Sequence, residues 1–465
     1  MLEPFIRSNL ARWQSWYDRA PAPARHLLTS ARGWVLSRIR YSSETFDILK
    51  KIRAQESWTA PQIAGHQLAA LRGILEHARR TVPYYADYPP VSLDSLVDLR
   101  RFPVLARETV RQHQHRLLSR DIPPRRRIRA GTTGTTGANL QVAYSEELAR
   151  ENWAFLLRQW AWAGIEPRHP RITLFGARIV PSRRLAPPYW THNLSERQTL
   201  MSIFHLSEKT APDYLDFLRR QKGKVLEGFP SVLGLLADFA VHRGDELPMR
   251  AVFSAGEPLF PAVRSKIEEV FQTRVFDSYG MTEYCGLIQE CECGQMHLAP
   301  EYGYLEILDD QDQPVAPGEE GHFVWTGFLN RAMPLMRYKI GDRGRWQTGP
   351  GCPCGRAFPR VVPTITRESD ILRASDGRLF SPRALNQLLK RSSSLRSCQF
   401  IHDRRERVVV RAVASNGRAA EEMMQIRAEL QSLLGPDMKV IAELAPAPVA
   451  RPGGKIPLIL NLVQQ

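Results

Sequence analysis

Between Ser145 and Asp277 short apolar runs alternate with helical stretches, and this alternation constrains the fold more than any other feature of the chain. Ser145–Ala163 reads as a helix, with Ser145 as N-cap and Glu146 and Glu147 in its first turn. The apolar run Arg171–Phe175 follows, then a helix over Ala211–Gln221 and the run Lys224–Glu227. A helix over Ser231–Arg243, the run Arg250–Ser254, a helix over Pro261–Phe271 and the run Thr273–Asp277 complete the series. Strands and helices alternating at this spacing build βαβ units on a largely parallel sheet. Ligands of such sheets collect at the carboxyl ends of the strands.

Two segments fall at such ends, Ser254-Ala-Gly-Glu-Pro258 and Ser278-Tyr-Gly-Met-Thr-Glu283. Each is small, carries glycine and holds a carboxylate, which suits a backbone that approaches a ligand while an acid faces a hydroxyl, an amine or a metal. Taken singly, either is equally an ordinary strand-to-helix turn. A third segment, Arg129-Ala-Gly-Thr-Thr-Gly-Thr-Thr-Gly-Ala138, has three glycines at every third position, and the extended stretch Asn139–Tyr144 follows it. That composition leaves backbone N–H groups free to turn towards an anion, as in a phosphate cradle. It lacks the Gly-Lys-Ser/Thr ending of a Walker A loop and does not open a helix as a dinucleotide fingerprint does. The competing reading is a Gly/Thr linker.

Beyond Glu283 the pattern turns to antiparallel strands at Tyr302–Leu308 and Gly321–Gly327, followed by Met336–Asp342. From about Thr366–Asp370 a small α+β unit begins. It comprises a strand-turn-strand over Ile371–Phe380, a helix over Pro382–Leu389, a strand at Arg407–Val413, a helix over Ala419–Leu434 and a strand at Lys439–Ala442. Its tail puts Lys455 on the glycine-rich loop Arg451–Pro457. Upstream, residues 60 to 120 read as a helical lead-in, with Leu68, Leu71, Ile74, Leu75 and Ala78 at helical spacing. The residues before Tyr41 carry Trp13, Trp16 and Trp34 among arginines. They read as helices docked on the core, or as a peripheral contact with a lipid surface. The expected fold class is α/β, in three parts. Residues 1–60 form a basic helical extension. Residues 61–368 form a large domain of mostly parallel sheets, helices and a β-rich subdomain. Residues 369–465 form a small mobile α+β domain.

The 465 residues are 43% hydrophobic and 24% charged, ordinary for a globular protein, and their net charge of +16 favours polyanionic partners such as nucleotides, coenzyme A, nucleic acid or an anionic membrane. No run of 18 apolar residues appears and the start lacks a secretory layout, so a cytoplasmic protein is expected. Four of the six cysteines form two Cys-x-Cys-Gly pairs, Cys291/Cys293 and Cys352/Cys354. In a reducing compartment this spacing argues for metal, and a hairpin folding back would gather four thiolates around structural zinc, with His297 able to replace one sulfur. Four protein ligands leave no open position, which excludes catalytic zinc.

In this order Thr132-Thr-Gly-Thr-Thr-Gly137, Ser278–Glu283, Tyr338-Lys-Ile-Gly-Asp342 and Gly454-Lys455 resemble the motifs of the adenylate-forming (acyl-CoA synthetase-like, AMP-binding) superfamily. Asn330–Tyr338 and Cys352-Pro-Cys-Gly-Arg356 resemble its phenylacetate-CoA ligase branch, with the capsule-biosynthesis CapK-like relatives. The resemblance covers residues from about 60 to the end.

It implies that ATP phosphates lie on the loop of Thr132, Thr133, Gly134, Thr135, Thr136 and Gly137, and that Gly256, Glu257 and Pro258 line the adenine. Tyr279, followed by Gly280 and Met281, would stack on the base. Thr282 would touch the α-phosphate and Glu283 would hold Mg²⁺. Asp342 would accept the ribose hydroxyls, Arg367 would serve at the ribose or hinge, and Lys455 would bridge the acid and the α-phosphate. The implied reaction is adenylation of a carboxylic acid by ATP, then transfer of the acyl group to coenzyme A. The segment Glu227–Val232 and residues near His205 would supply the acyl pocket.

Ala138-Asn139 stands where the family has Lys-Pro, and the doubled Gly-Thr-Thr-Gly allows two registers, of which the second sets Tyr144 at the family's spacing. Rival readings are an adenylate-forming enzyme with an amine, carrier-protein thiol or sugar hydroxyl as acceptor, an inactive copy, and a nucleic-acid-binding protein. The strand–helix alternation and the lysine-bearing C-terminal unit argue against the last.

Overall fold

The computed structural model describes residues 17, 19–88, 92–132, 140–175, 179–181, 184, 186–203, 205–364, 372–373, 379–380, 385, 388–389, 394–414, 416–450 and 456–463. Helices α1 (Ala22–Arg40), α2 (Ser43–Ala54) and α3 (Ala60–Thr81) come first. In α3 the capping box of Thr59 and Gln62 satisfies the first turn, and Leu71, Ile74, Leu75 and Ala78 form the buried stripe that the spacing predicts. The chain then makes strand β1 (Leu105–Ala106), helix α4 (Arg107–Gln112), and the antiparallel pair β2 (Ile128–Thr132) and β3 (Leu140–Tyr144).

The alternating region follows, beginning with α5 (Glu146–Trp162), whose N-cap Ser145 accepts from the Leu148 backbone N–H at 3.3 Å as expected. Its strands and helices are β4 (Arg171–Leu174), β5 (Trp190–Asn193), β6 (Gln198–Met201), α6 (Ala211–Arg219), β7 (Val225–Gly228) and α7 (Pro230–Arg243). They continue as β8 (Ala251–Ala255), α8 (Pro261–Phe271), β9 (Val275–Gly280), β10 (Leu287–Glu290) and β11 (Met296–Leu298). The sheet order is β11-β10-β9-β8-β7-β4-β6-β5. The five central strands run parallel, and β10 and β5 join them antiparallel. Helix α1 docks beside the β5 edge, where His26 Nδ1 accepts from the His192 backbone N–H at 3.1 Å and the Ser195 hydroxyl donates to the Ser30 carbonyl at 2.8 Å. Tyr41, Leu49 and Ile52 share one core with Phe155, Trp160, Phe253 and Phe276, so the N-terminal helices pack as part of this layer.

A second sheet contains β12 (Gly303–Leu308), β13 (Gly321–Gly327), β14 (Tyr338–Trp346) and β15 (Val361–Pro363), with β1 parallel to β14. After it come the short pair β16 (Leu372–Arg373) and β17 (Leu379–Phe380), then β18 (Leu395–Arg404), β19 (Arg407–Ala414), α9 (Ala419–Leu434), β20 (Lys439–Leu444) and β21 (Ile459–Asn461). Sheet β20-β19-β18-β21 is covered by Met423, Ile426 and Leu430 of α9. The molecule is thus mixed α/β. Most of the predicted helix Pro382–Leu389 lies outside the described residues. Strands β1, β2, β5, β6, β10, β11, β15, β18 and β21 have no counterpart among the predicted elements. Among the described residues no helix is long and apolar enough to cross a membrane.

The two larger sheets meet through glycines. A Cβ on Gly303 would stand 2.1 Å from the Cys285 carbonyl oxygen, and one on Gly286 would stand 2.2 Å from the Trp325 ring. A backbone carbonyl cannot swing aside as a side chain can. Gly303→Ala is therefore expected to lower stability by about 1–3 kcal/mol. Gly73→Ala, in open space on α3, is expected to raise it by about 0.5–1 kcal/mol. Urea midpoints of the two variants, compared with the native chain, check both signs.

Candidate active site

Strands β7, β8 and β9 end side by side, with Gly228 opposite Ser254, Ser254 opposite Asp277 and Ala255 opposite Ser278. Their exits form one rim. After β8 the chain turns at Gly256, whose φ of +80° is a conformation glycine adopts without strain. Glu257 then reaches across the rim, and its Oε2 accepts from the Ser231 backbone N–H at 3.1 Å, at the start of α7. A carboxylate belongs at that positive helix end. The side chain of Glu257 is therefore engaged as a cap, and the chain through Gly256, Glu257 and Pro258 runs along the rim.

Beneath the exit of β9, the Ser254 hydroxyl donates to Asp277 Oδ1 at 2.6 Å, and the Asp277 backbone N–H donates to Glu290 Oε2 at 2.9 Å. Above it, Tyr279 lies nearly parallel to Trp325, with centroids 6.2 Å apart, and edge-on to Phe323 at 5.7 Å. Its hydroxyl donates to Asp342 Oδ2 at 2.7 Å. The second sheet supplies that carboxylate. Along β14, Tyr338, Ile340 and Asp342 are buried on one face while Lys339, Gly341 and Arg343 are less so, the period of two of a strand. Tyr338 on the same face donates its hydroxyl to Glu283 Oε1 at 3.0 Å. Two tyrosine–carboxylate bonds thus cross the seam in opposite senses, one from each sheet.

Met281, Thr282 and Glu283 form the tight turn after Gly280, closed by the Tyr284 N–H to Met281 carbonyl bond at 3.1 Å. Tyr284 has a φ of +56°, and its ring lies 5.0 Å from Tyr144, which ties the turn to the end of β3. The structure therefore brings Gly256, Glu257, Pro258, Tyr279, Gly280, Met281, Thr282, Glu283 and Asp342 to the rim and seam. Thr132 ends β2, and Thr133, Gly134, Thr135, Thr136, Gly137, Arg367 and Lys455 lie outside the described residues. Tyr338 had been given no role from sequence, although its place two steps from Ile340 and four from Asp342 carried the signal.

The acyl segment is only partly open to a ligand. Glu227 is bound to the Thr173 hydroxyl at 2.5 Å and lies 3.3 Å from Arg171 Nε, while Phe229 meets Phe175 edge-on at 5.1 Å. His205 is held through Nδ1 to the Ser202 hydroxyl at 2.7 Å and through Nε2 to the Pro181 carbonyl at 3.1 Å. Burial pulls its pKa down, so it is neutral near pH 7.

The cysteines gather elsewhere, and in the quartet His297, the substitute that the sequence allowed, takes the place of Cys293 among the four thiolates expected. Atoms of Cys291, Cys352, Cys354 and His297 lie within 4.8 Å of one another, and Cys293 falls outside that set. The hairpin register explains the exchange. Gln289 stands opposite His297, and the Cys291 N–H meets the Gln295 carbonyl at 3.0 Å, so Cys291 and His297 are diagonal neighbours on one face. Cys293 sits in the turn between them.

Burial pushes the Asp277 carboxyl from an ordinary 3.8 up to about 7, with Glu290 adding to the rise and Ser254 and Arg264 opposing it. Between those values the folded chain keeps a proton that the unfolded chain has lost, so this group makes stability fall as pH rises from about 4 to about 7. Asp277→Asn is expected to flatten that fall. Thermal midpoints of both proteins across this range check the sign, and parallel curves would refute it.

The AMP-binding enzyme family matches residues 198–329, the span that holds the rim of β7, β8 and β9. CapK of Staphylococcus aureus is 20% identical over 457 residues, covering 96% of this chain and 99% of its own. The phenylacetate-coenzyme A ligase of Escherichia coli K12 is 25% identical over 356 residues, covering 73% of this chain and 79% of its own. Among solved structures, 2-hydroxyisobutyryl-CoA ligase in its postadenylation state superposes with a TM-score of 0.68 at 20% identity, over 88% of this chain and 91% of that one. The resemblance read from the motifs is matched by these comparisons: the chain is similar to the AMP-binding enzymes over residues 198–329, and over most of its length to CapK and to the phenylacetate-CoA ligases.

Proposed function

We propose that this chain uses ATP and Mg²⁺ to adenylate a carboxylic acid and then passes the acyl group to coenzyme A. The observation that carries the reading is the environment of Glu283. Three other buried glutamates are matched by guanidinium groups: Glu301 by Arg158 at 2.8 Å, Glu306 by Arg337 at 2.9 Å, and Glu196 by Arg171. Glu283 is 2% exposed, accepts a tyrosine hydroxyl, and among the described residues has no ion pair. A buried carboxylate of that kind is costly without a cation. Hard oxygen at a ligand-facing turn suits Mg²⁺, which when bound supplies positive charge to the phosphates.

Asp342 offers carboxylate oxygen to the ribose hydroxyls, with Tyr279 fixing its orientation through the bond already described. In the first step an oxygen of the acid attacks the α-phosphorus, and the bond to pyrophosphate breaks. Like charges meet there, and the Lys455 ammonium is assigned to relieve the repulsion. In the second step the coenzyme A thiol attacks the acyl carbon and AMP leaves. Phe175 and Phe229, at the ends of β4 and β7, favour an acid with an apolar or aryl body. The C-terminal unit from about residue 369 is assigned to carry Lys455 in and out, a hinge motion of known type.

The test is acid-dependent release of AMP and pyrophosphate from the native chain, Asp342→Asn and Lys455→Ala, with a library of aryl and aliphatic acids. Each variant is expected to lose about 10²-fold or more in turnover. Acyl-CoA masses should appear only when coenzyme A is added. Undiminished turnover in Lys455→Ala would overturn the assignment of the lysine, and AMP release with an amine or sugar product would overturn coenzyme A as acceptor.

A further inference from the structure

We propose that Cys291, Cys352, Cys354 and His297 hold a structural Zn²⁺ that fastens the β10–β11 hairpin to the loop between β14 and β15. The four ligand atoms lie within 4.8 Å of one another, and two of their spacings match the edges of a zinc tetrahedron. Zinc bonds of about 2.3 Å to sulfur and about 2.0–2.1 Å to nitrogen give tetrahedral edges of about 3.8 Å between sulfurs and about 3.6 Å from sulfur to nitrogen. Cys291 Sγ lies 3.7 Å from Cys352 Sγ, and Cys354 Sγ lies 3.4 Å from His297 Nε2. The sulfurs are much too far apart for a disulfide, whose bond is about 2.05 Å.

The surroundings are built for a metal as well. His297 is 1% exposed, and its Nδ1 lies 3.0 Å from the Phe358 carbonyl oxygen, to which it donates. That bond fixes the tautomer and leaves the Nε2 lone pair facing the sulfurs, the usual outer support of a metal-bound histidine. The two Cys-x-Cys-Gly segments make the same turn. Gly294 N–H meets the Cys291 carbonyl at 2.9 Å and Gly355 N–H meets the Cys352 carbonyl at 3.0 Å, with φ of +77° and +79°. In the first turn the Cys293 N–H also donates to Cys291 Sγ at 3.3 Å. Ile63, Trp162 and Phe358 wall the cluster from water. Three thiolates and one Zn²⁺ leave a net negative charge, and the Arg356 guanidinium, held by Glu56 and Glu292 at 2.8 Å each, lies beside Cys354 and favours the thiolate there.

Four protein ligands make the site structural. Its place in the fold gives it a task. β10 lies next to β9, which carries Tyr279, and β15 pairs with β14, which carries Asp342. The metal therefore clamps the two sheets at one end of the seam that the candidate active site occupies.

The test is metal analysis of the full chain, purified without chelators from zinc-supplemented medium, for the native protein, His297→Ala, Cys352→Ser and Cys293→Ser. One equivalent of zinc is expected in the native chain and in Cys293→Ser, with at least a tenfold loss of affinity in the other two. In case a variant fails to fold, native protein stripped by chelator and refilled with Co²⁺ should show the visible bands of a tetrahedral thiolate site. Native protein without stoichiometric zinc and without those bands would overturn the proposal. So would a Cys293→Ser variant that loses zinc while His297→Ala keeps it, which would restore four thiolates.

Discussion

The candidate site depends on how closely the five-stranded sheet lies against the eight-stranded one. Glycines at 286, 303 and 327 remove the side chains that would hold the sheets apart. Arg337 then sets the approach of β14. Its guanidinium grips Glu306 through Nε at 2.9 Å and Nη2 at 3.0 Å, and Nη1 reaches the Phe102 carbonyl at 2.5 Å. Its backbone has a φ of +47°, strained for a non-glycine residue. The bidentate pair over-determines that turn, and breaking such a pair costs about 3–5 kcal/mol because the remaining charge is stranded. Tyr338 and Asp342 follow directly, so their aim at Glu283 and Tyr279 is set by this anchor.

Parallel strands place their exits together, and the chemistry follows from what those exits carry. Backbone from β8, an aromatic and a turn from β9, and a carboxylate from β14 converge where none is adjacent in sequence. The excess of positive charge on the chain suits a nucleotide or coenzyme A, but the groups at the seam are acids and hydroxyls. Such groups suit the ribose and the divalent cation of the proposed reaction.

The periodic elements were legible because local physics decides them. α5, α7, α8 and α9 begin and end within two residues of the predicted bounds, and β4, β7, β8 and β9 were visible as apolar runs. β18 was not legible. It buries Gln399 and His402 beside Phe400, and the polar residues break the pattern. What makes Gln399 tolerable is tertiary: its Nε2 donates to the Val449 and Pro457 carbonyls, each at 2.9 Å, and its Oε1 accepts from the Val449 N–H at 2.7 Å. β5 and β6 were missed for a similar reason, since Trp-Thr-His-Asn and Gln-Thr-Leu-Met form a hairpin only across a turn with Arg197 at φ +51°. At the site, the motif residues of β8, β9 and β14 were legible as motifs, whereas the capping of α7 by Glu257 and the crossing tyrosine bonds depend on contacts between distant segments. His297 was legible as a substitute ligand, but that Cys293 is the sulfur it replaces follows from the hairpin register, which spacing alone does not convey.

The most direct test of the central claim is acid-dependent exchange of labelled pyrophosphate into ATP in the absence of coenzyme A. Reversible formation of an acyl-adenylate predicts label in ATP only when a suitable acid is present, with Asp342→Asn reducing the exchange. Tight ATP binding by calorimetry without exchange across the whole acid library would contradict it, and would mark the chain as a nucleotide binder that does not activate acids.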